Sequence, residues 1–143
     1  MKRWGFCVVF LACGLTAIQS TAAACPAAAD IEPQMFVGTW RIDWTDGARQ
    51  RGEEPWTLVL GPHPEYAGSL KGQLSRGSER HLVVADWDDE TLTMEESHDG
   101  ERIAATWQAT ATPGQCGREL RGRRFTGNEP DASDRRFRMR LNP

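Results

Sequence analysis

Residues Glu90 to Thr110 read ETLTMEESHDGERIAATWQAT, and this stretch decides the fold. Two runs of alternating apolar and polar residues flank the dipeptide Asp99-Gly100, which is typical of hairpin turns. The residues predicted on one face are Leu92, Met94, Ile103, Ala105 and Trp107. The apolar period is two rather than 3.6, so the stretch predicts two antiparallel strands. A hairpin with one apolar face is not stable alone in water, so we expect it to share a core with further strands.

The same alternation recurs along the chain, with short breaks rich in Gly, Pro, Ser and Asp between the segments. Eight strands are predicted: 38–45, 56–60, 66–74, 80–87, 91–97, 102–110, 116–125 and 136–142. No longer segment has a helical period. Eight short strands, each with one apolar face, favour an all-β fold, a small antiparallel up-and-down eight-stranded β-barrel, because closure removes exposed edges. A two-layer β-sandwich is the alternative, since a strand count does not distinguish a meander from a Greek key.

The first 24 residues have the pattern of a secretory signal peptide. Lys2 and Arg3 precede an apolar run from 4 to 18, and small residues follow at 21–24. We therefore expect residues 1–24 to be cleaved, residues 25–143 to form a single domain, and the protein to be periplasmic or secreted. Lipidation of Cys25 is the competing interpretation, although no large aliphatic residue stands three positions before it.

Four cysteines divide into two pairs. Cys7 and Cys13 lie in the signal, whereas Cys25 and Cys116 remain in the mature chain. Two cysteines in an exported protein predict one disulfide. Closing a loop of about 90 residues contributes roughly 4 to 5 kcal/mol of stability if loop-closure entropy is the dominant effect.

Charge is unevenly distributed. Without Lys2 and Arg3, 15 basic residues stand against 20 acidic ones, a net charge of −5. Residues 118–143 nevertheless hold eight arginines and four acids. Such arginines on outward strand faces are commonly solvated and paired across the sheet. The other interpretation is a surface that meets an anionic partner. A nucleic-acid partner is not expected, because the chain is acidic and lacks a lysine-rich tract.

Gly38-Thr39-Trp40 opens the first predicted strand, and Arg138 and Arg140 lie in the last. With eight strands, these residues resemble the calycin group, which includes lipocalins and avidins. The resemblance implies that Trp40 closes one end of the barrel and that a last-strand arginine packs over its ring. On this basis we assign structural roles to Trp40 and Arg140, and Trp87 is assigned one because strand direction places it near the same end of the barrel as Trp40. Biotin binding is not carried over, because apolar Ile42 follows two residues after Trp40.

If every connection is a hairpin, each loop belongs to one end of the barrel. We call the end where the first strand begins the lower end; it receives Cys25, Cys116, Trp40 and Trp87. The upper end receives the two longest loops, 46–55 and 126–134. Long loops at one mouth of a rigid scaffold are the usual place for recognition.

The candidate ligand-binding residues at the upper end are Trp44, Trp56, Glu96 and Arg124. The two tryptophans flank the first long loop, and their alternative role is to cap the core. Glu96 shares the face of Leu92 and Met94, so its carboxylate is predicted to point inward unless a bulge turns it to solvent. Arg124 is its expected counter-charge.

Signatures of catalysis are missing. His63, His81 and His98 have no metal-ligand spacing along the chain, and both mature cysteines are assigned to the disulfide, so no metal site and no cofactor are expected. Glu95 and Glu96 are adjacent on a strand and face opposite ways, so they cannot act as a carboxylate pair. Neither a Gly-x-Ser-x-Gly elbow nor a glycine-rich phosphate loop is present. We therefore do not expect an enzyme.

Three functions remain open. The first is a non-enzymatic binding protein that holds a small, partly apolar ligand at the upper mouth. The second is an inhibitor of an exported hydrolase, whose N-terminal segment, residues 26–35, would enter the target's cleft. The third is an accessory subunit that docks through the arginine-rich face. Large inward residues such as Trp107, Phe137 and Met139 favour a filled interior over a hollow one.

Overall fold

The computed structural model describes residues 24–46, 54–126 and 134–143. Within these ranges two short 3₁₀ helices, Ala28–Asp30 and Pro33–Phe36, precede the strands. The strands are β1 (Gly38–Trp44), β2 (Trp56–Pro62), β3 (Leu70–Arg76), β4 (Glu79–Asp88), β5 (Thr91–Ser97), β6 (Ile103–Ala111), β7 (Glu119–Thr126) and β8 (Arg135–Leu141).

The strands form one closed antiparallel barrel, in which each strand pairs with its neighbours in chain order. Closure is made by β1 and β8, which pair from Trp40 opposite Leu141 to Trp44 opposite Phe137. The predicted up-and-down barrel is therefore confirmed, and the sandwich alternative is wrong. Strands that follow one another along the chain pair antiparallel, so strand direction alternates and each loop lies at a definite end.

Alternation along the strands places one set of side chains inside the barrel. In β5, for example, Leu92, Met94 and Glu96 are buried while Glu95 is exposed. The inward side chains fill the interior with a continuous core. Its largest fully buried members are Phe36, Trp40, Ile42, Leu58, Leu60, Leu70, Leu74, Leu92, Met94, Trp107, Leu120 and Phe137.

Two strands start three or more residues later than predicted. The third begins at Leu70 rather than Tyr66, because residues 63–69 form a turn in which Nδ1 of His63 accepts the backbone N–H groups of Glu65 and Tyr66. Tyr66 is accordingly 62% exposed. The seventh begins at Glu119 rather than Cys116, whose positive φ of 51° belongs to a turn.

A register shift between Glu96 and Ser97 interrupts the β5–β6 ladder. Ala105 lies opposite Glu96, whereas Ile103 lies opposite Ser97, so β6 has one extra residue at this point. The expectation that Ile103 faces inward is therefore wrong, since its side chain is 58% exposed. The irregularity falls after Glu96 and leaves that side chain inside.

The lower end is closed by the N-terminal segment. Cys25 and Cys116 form the predicted disulfide, which also uses the sulfur that lipidation of Cys25 would need. Phe36 packs against the rings of Trp40 and Trp87, and its carbonyl accepts the Trp40 Nε1–H at 2.8 Å. Trp40 and Trp87 thus lie at this end as expected, and Phe36 joins them.

Arg140 does not pack over Trp40 as the resemblance implied. Trp40 is fully buried in the interior, whereas Arg140 lies on the outer face of β8, where its Nε donates to Glu119 at 3.2 Å. The physical reason is the alternation of side chains along a strand, since residues directly opposite each other point to the same face of the sheet. Arg140 lies opposite the outward Arg41, and Leu141 lies opposite Trp40.

The predicted signal, residues 1–24, lies almost entirely outside the described residues, as do most residues of the two long upper loops. Among the described residues, none belongs to a helix with the length and apolar character needed to cross a membrane.

Candidate functional site

Glu96 is the one glutamate among the described residues that is fully buried. It lies near the upper end of β5 and points inward with Leu92 and Met94. Its neighbour across the ladder is Ala105, whose small side chain leaves space above the core for longer groups from other strands. A buried carboxylate is costly unless it is paired and hydrogen-bonded.

Glu96 has those partners. Oε2 accepts Nε1–H of Trp107 at 2.8 Å and Nε–H of Arg124 at 2.9 Å, while Oε1 accepts Nη2–H of Arg124 at 3.0 Å. Arg124 belongs to β7, so its guanidinium reaches across the width of β6 and lies over the Trp107 ring, 5.3 Å from the centroid. Burial by itself would raise the pKa of Glu96, but the hydrogen bonds and charge of Arg124, with contributions from Trp107 and His81, outweigh it and lower that pKa.

Two histidines stand beside the same carboxylate. Nδ1 of His81 lies 2.7 Å from Oε1 of Glu96, and Nε2 of His98 lies 3.6 Å from that oxygen. The imidazole rings contact each other with centroids 4.1 Å apart. The close His81 contact does not have hydrogen-bond geometry, because Nδ1 is buried and makes no hydrogen bond.

A tight turn holds His98 in position. Oδ1 of Asp99 accepts the backbone N–H groups of Glu101 and Arg102, and Oγ of Ser97 accepts that of Gly100. The hydrogen bonds from the Arg102 and Glu101 backbone, with the Arg102 guanidinium, hold the pKa of Asp99 well below its ordinary value. The turn is therefore ordered, although the His98 side chain is 60% exposed.

Aromatic rings and arginines surround this polar group at the upper end. Trp44 stacks on Trp107 at 5.6 Å and carries the Arg135 guanidinium 3.9 Å from its centroid. Trp56 contacts His81 at 5.3 Å and lies under Arg76 at 4.4 Å. We call the set Trp44, Trp56, Arg76, His81, Glu96, His98, Trp107, Arg124 and Arg135 the upper mouth.

Two indole N–H groups of the upper mouth have no acceptor in the described chain. Nε1 of Trp44 and Nε1 of Trp56 are both buried, and neither makes a hydrogen bond. Buried indole N–H groups normally find a partner. Both donors therefore have unused capacity for an oxygen acceptor.

All four predicted ligand-binding residues lie at the upper mouth, and Glu96 and Arg124 are in direct contact. His81 and His98 were missed because one lies on β4 and the other in the turn after β5, so they have no motif spacing along the chain. The alternation of side chains along β4 could have identified one of them, since His81 lies on the same face as the buried Val83 and Ala85. Trp107 was predicted to be inward, but its bond to Glu96 was not foreseen.

The arginine-rich face lies elsewhere, on the outside of β7 and β8. Arg121 is directly opposite Arg138, and Arg123 is opposite Arg136. Neighbouring carboxylates offset some of this charge: Glu119 bonds Arg121 and Arg140, and Asp134 lies 3.0 Å from Arg123.

The upper mouth therefore combines three kinds of group: buried N–H donors, a carboxylate with two imidazoles, and flat aromatic and guanidinium surfaces. A scan of the chain against protein-family models finds no match, and a search of curated proteins finds none either.

Proposed function

We propose that this protein is an exported, non-enzymatic binding protein that holds a small, partly apolar molecule at the upper mouth. The observation that carries the proposal is the pair of buried indole N–H groups of Trp44 and Trp56, which have no acceptor among the described residues. Leaving such donors unpaired costs about 1 to 3 kcal/mol each, so a ligand oxygen that accepts from them gains this free energy on binding.

The chemistry around these donors suggests the character of the ligand. Arg76, Arg124 and Arg135 bring three guanidinium groups to the mouth, where Glu79 pairs with Arg76 at 3.2 Å and Glu96 with Arg124 at 2.9 Å. The acceptor end of the ligand is therefore expected to be a carboxylate or another oxygen-rich group, and its apolar part to contact the tryptophan rings. The interior below is filled by side chains such as Phe137 and Met139, so the ligand would lie at the mouth rather than inside the barrel.

Export is supported by the N-terminal pattern of residues 1–24 and by the Cys25–Cys116 disulfide, because disulfides persist in oxidising compartments. We accordingly propose a periplasmic or secreted location. The closed eight-stranded barrel and the buried Trp40 at its lower end are consistent with a calycin-like architecture. We therefore propose that this protein is related to the calycin group.

The test is native mass spectrometry of the protein purified from its own host, followed by fluorescence titration with whatever small molecule is retained. Trp44→Phe and Trp56→Phe keep an aromatic ring but remove the N–H, so each should weaken binding about 5- to 150-fold. Trp87→Phe is the matched control, because Trp87 packs on Phe36 at the lower end. A ligand bound equally well by all three variants would contradict the assignment, as would a protein that retains no molecule.

A second candidate, an accessory subunit that docks through the arginine-rich face, is favoured by one observation. Arginines directly opposite each other, such as Arg121 and Arg138, repel across the strand pair. An acidic partner would relieve that repulsion. This function predicts an association that weakens steeply with salt and is lost in Arg121→Gln/Arg138→Gln. Association that is insensitive to salt would oppose it.

The inhibitor hypothesis has less support. It needs a free N-terminal segment, whereas the disulfide tethers Cys25 and the side chains of Ile31 and Phe36 are buried against the barrel. Trimming residues 26–34 distinguishes it, since that change would abolish inhibition of a target hydrolase and leave a mouth-bound ligand in place.

A further inference from the structure

We propose that His81, Glu96 and His98 form a binding site for one divalent transition-metal ion of the zinc type. Each side chain offers one ligand atom, and these three atoms lie within 4.8 Å of one another. The inference rests on these residues alone. It does not depend on the ligand proposed above for the tryptophan donors.

The hydrogen bonds of Glu96 leave one acceptor position facing the histidines. A carboxylate has about four lone-pair sites, two on each oxygen. Oε2 uses both of its sites, for Trp107 and for Nε of Arg124, while Oε1 uses one, for Nη2 of Arg124. The remaining site on Oε1 is the one approached by His81 at 2.7 Å and His98 at 3.6 Å.

The orientation of His81 also favours a ligand role. Its Nδ1 is buried and makes no hydrogen bond among the described residues, although Oε1 of Glu96 is close. A bare ring nitrogen and a carboxylate oxygen at this separation would repel each other as two hydrogen-bond acceptors. Either the neutral Nδ1–H tautomer of the imidazole or a metal ion removes that repulsion, and only the ion also engages His98.

Small movements suffice to complete the site. Zinc binds histidine nitrogen at about 2.0 to 2.1 Å and carboxylate oxygen at about 2.0 to 2.2 Å. Glu96 is held by Trp107 and Arg124, which therefore act as the outer partners that orient a ligating carboxylate. The His98 side chain is largely exposed and is free to adjust toward the ion.

The ligand set selects the class of ion. Two imidazoles and one carboxylate suit zinc and its transition-metal neighbours, whereas calcium and magnesium prefer sites made of oxygen. Three protein ligands leave a fourth position for water or another exchangeable group. The positive charge of Arg124 beside Glu96 opposes the cation and should keep the affinity moderate.

The experiment is calorimetric titration of ZnCl₂ into the protein purified without a histidine tag and with its disulfide intact. We expect one zinc ion per chain. His98→Ala should weaken binding at least about tenfold, and His81→Ala likewise. His63→Ala is the matched control, because His63 lies in the lower-end turn and its Nδ1 is occupied by backbone N–H groups. Its zinc affinity should equal that of the wild type.

Two further measurements keep the result decisive. Near-ultraviolet circular dichroism shows whether each variant is folded; the exposed His98 is the variant to rely on if His81→Ala unfolds. Co²⁺ in place of zinc should give a visible absorption band that His98→Ala changes. The proposal is overturned if the wild type binds no zinc, if His98→Ala binds it as tightly as the wild type, or if His63→Ala alone removes binding.

Discussion

At the residue scale, the stability of the upper mouth depends on the pairing of Glu96 with Arg124. Replacing Glu96 by Leu leaves the Arg124 guanidinium and the Trp107 N–H without their acceptor in a largely desolvated place. Removing one member of a buried ion pair costs about 3 to 5 kcal/mol. We therefore expect Glu96→Leu to lower the free energy of unfolding by about 3 kcal/mol, measured by urea denaturation. A loss below about 1 kcal/mol would contradict the role given to this pair.

A double substitution separates the charge from the packing. In Glu96→Leu/Arg124→Met neither charge is left alone, so much of the lost stability should return, as it does when buried ion pairs are replaced by apolar residues. Arg124→Met by itself should be as harmful as Glu96→Leu, because it leaves the carboxylate fully buried. Strictly additive losses in the double variant would show that the two side chains are not coupled.

The inward position of Glu96 could be predicted from the sequence, because it follows Leu92 and Met94 at a period of two and so shares their face of the strand. The convergence of His81 and His98 on that carboxylate could not. It depends on the β4–β5 register, on the bulge after Glu96 and on the turn that Asp99 stabilises, none of which a single sequence specifies. Arg140 shows the opposite case. The resemblance to the calycin group implied a contact with Trp40, but Arg140 lies on the outer face of its strand and points away from that ring.

At the element scale, β6 and β7 approach too closely for a side chain at Gly122. A Cβ there would overlap the backbone oxygen of Gln108. Gly122→Ala should therefore cost about 1 to 3 kcal/mol or more in the free energy of unfolding. Gly61→Ala is the control within a strand, because its Cβ would lie at an ordinary distance of 3.9 Å from the Lys71 oxygen. Equal stability of the two variants would argue against the β6–β7 pairing described above.

The β7–β8 pair contains a carboxylate that makes stability depend on pH. Burial alone would raise the pKa of Glu119, but hydrogen bonds from Arg121 and Arg140, the charge of Arg121 and a bond from Thr112 outweigh it and lower that pKa. The Glu119 carboxylate therefore binds a proton more readily in the unfolded chain than in the folded protein. The contribution of Glu119 is therefore present above its unfolded-state pKa and is lost as pH falls through the folded one.

Glu119→Gln should accordingly flatten the acid side of the curve of unfolding free energy against pH and cost at most about 1 kcal/mol at neutral pH, since its arginine partners are half exposed. Parallel acid-side curves for the variant and the wild type would show that Glu119 does not contribute.

The start of β7 near this site illustrates what the alternation of apolar and polar residues does not predict. Cys116 continues the sequence pattern of β7, yet its positive φ places it in the preceding turn.

At the scale of the whole molecule, the disulfide joins residues 91 positions apart and fixes the N-terminal segment to the lower end. Cys25→Ser/Cys116→Ser should lose up to about 4 to 5 kcal/mol, because the unfolded chain regains the freedom of a long loop. The wild type in reductant should approach the same stability, and the double variant should not respond to reductant. A double variant as stable as the oxidised wild type would contradict this contribution.

The closed barrel brings the two tryptophans, the buried glutamate and both histidines to one end, and the upper mouth as a ligand site depends on that closure. The most direct test is the set of cross-strand backbone NOEs between β1 and β8 in solution NMR. We predict contacts between Arg41 and Arg140 and between Asp43 and Arg138. If β1 and β8 instead show no mutual contacts while the other seven strand pairs do, the sheet is open, and the upper mouth as described does not exist.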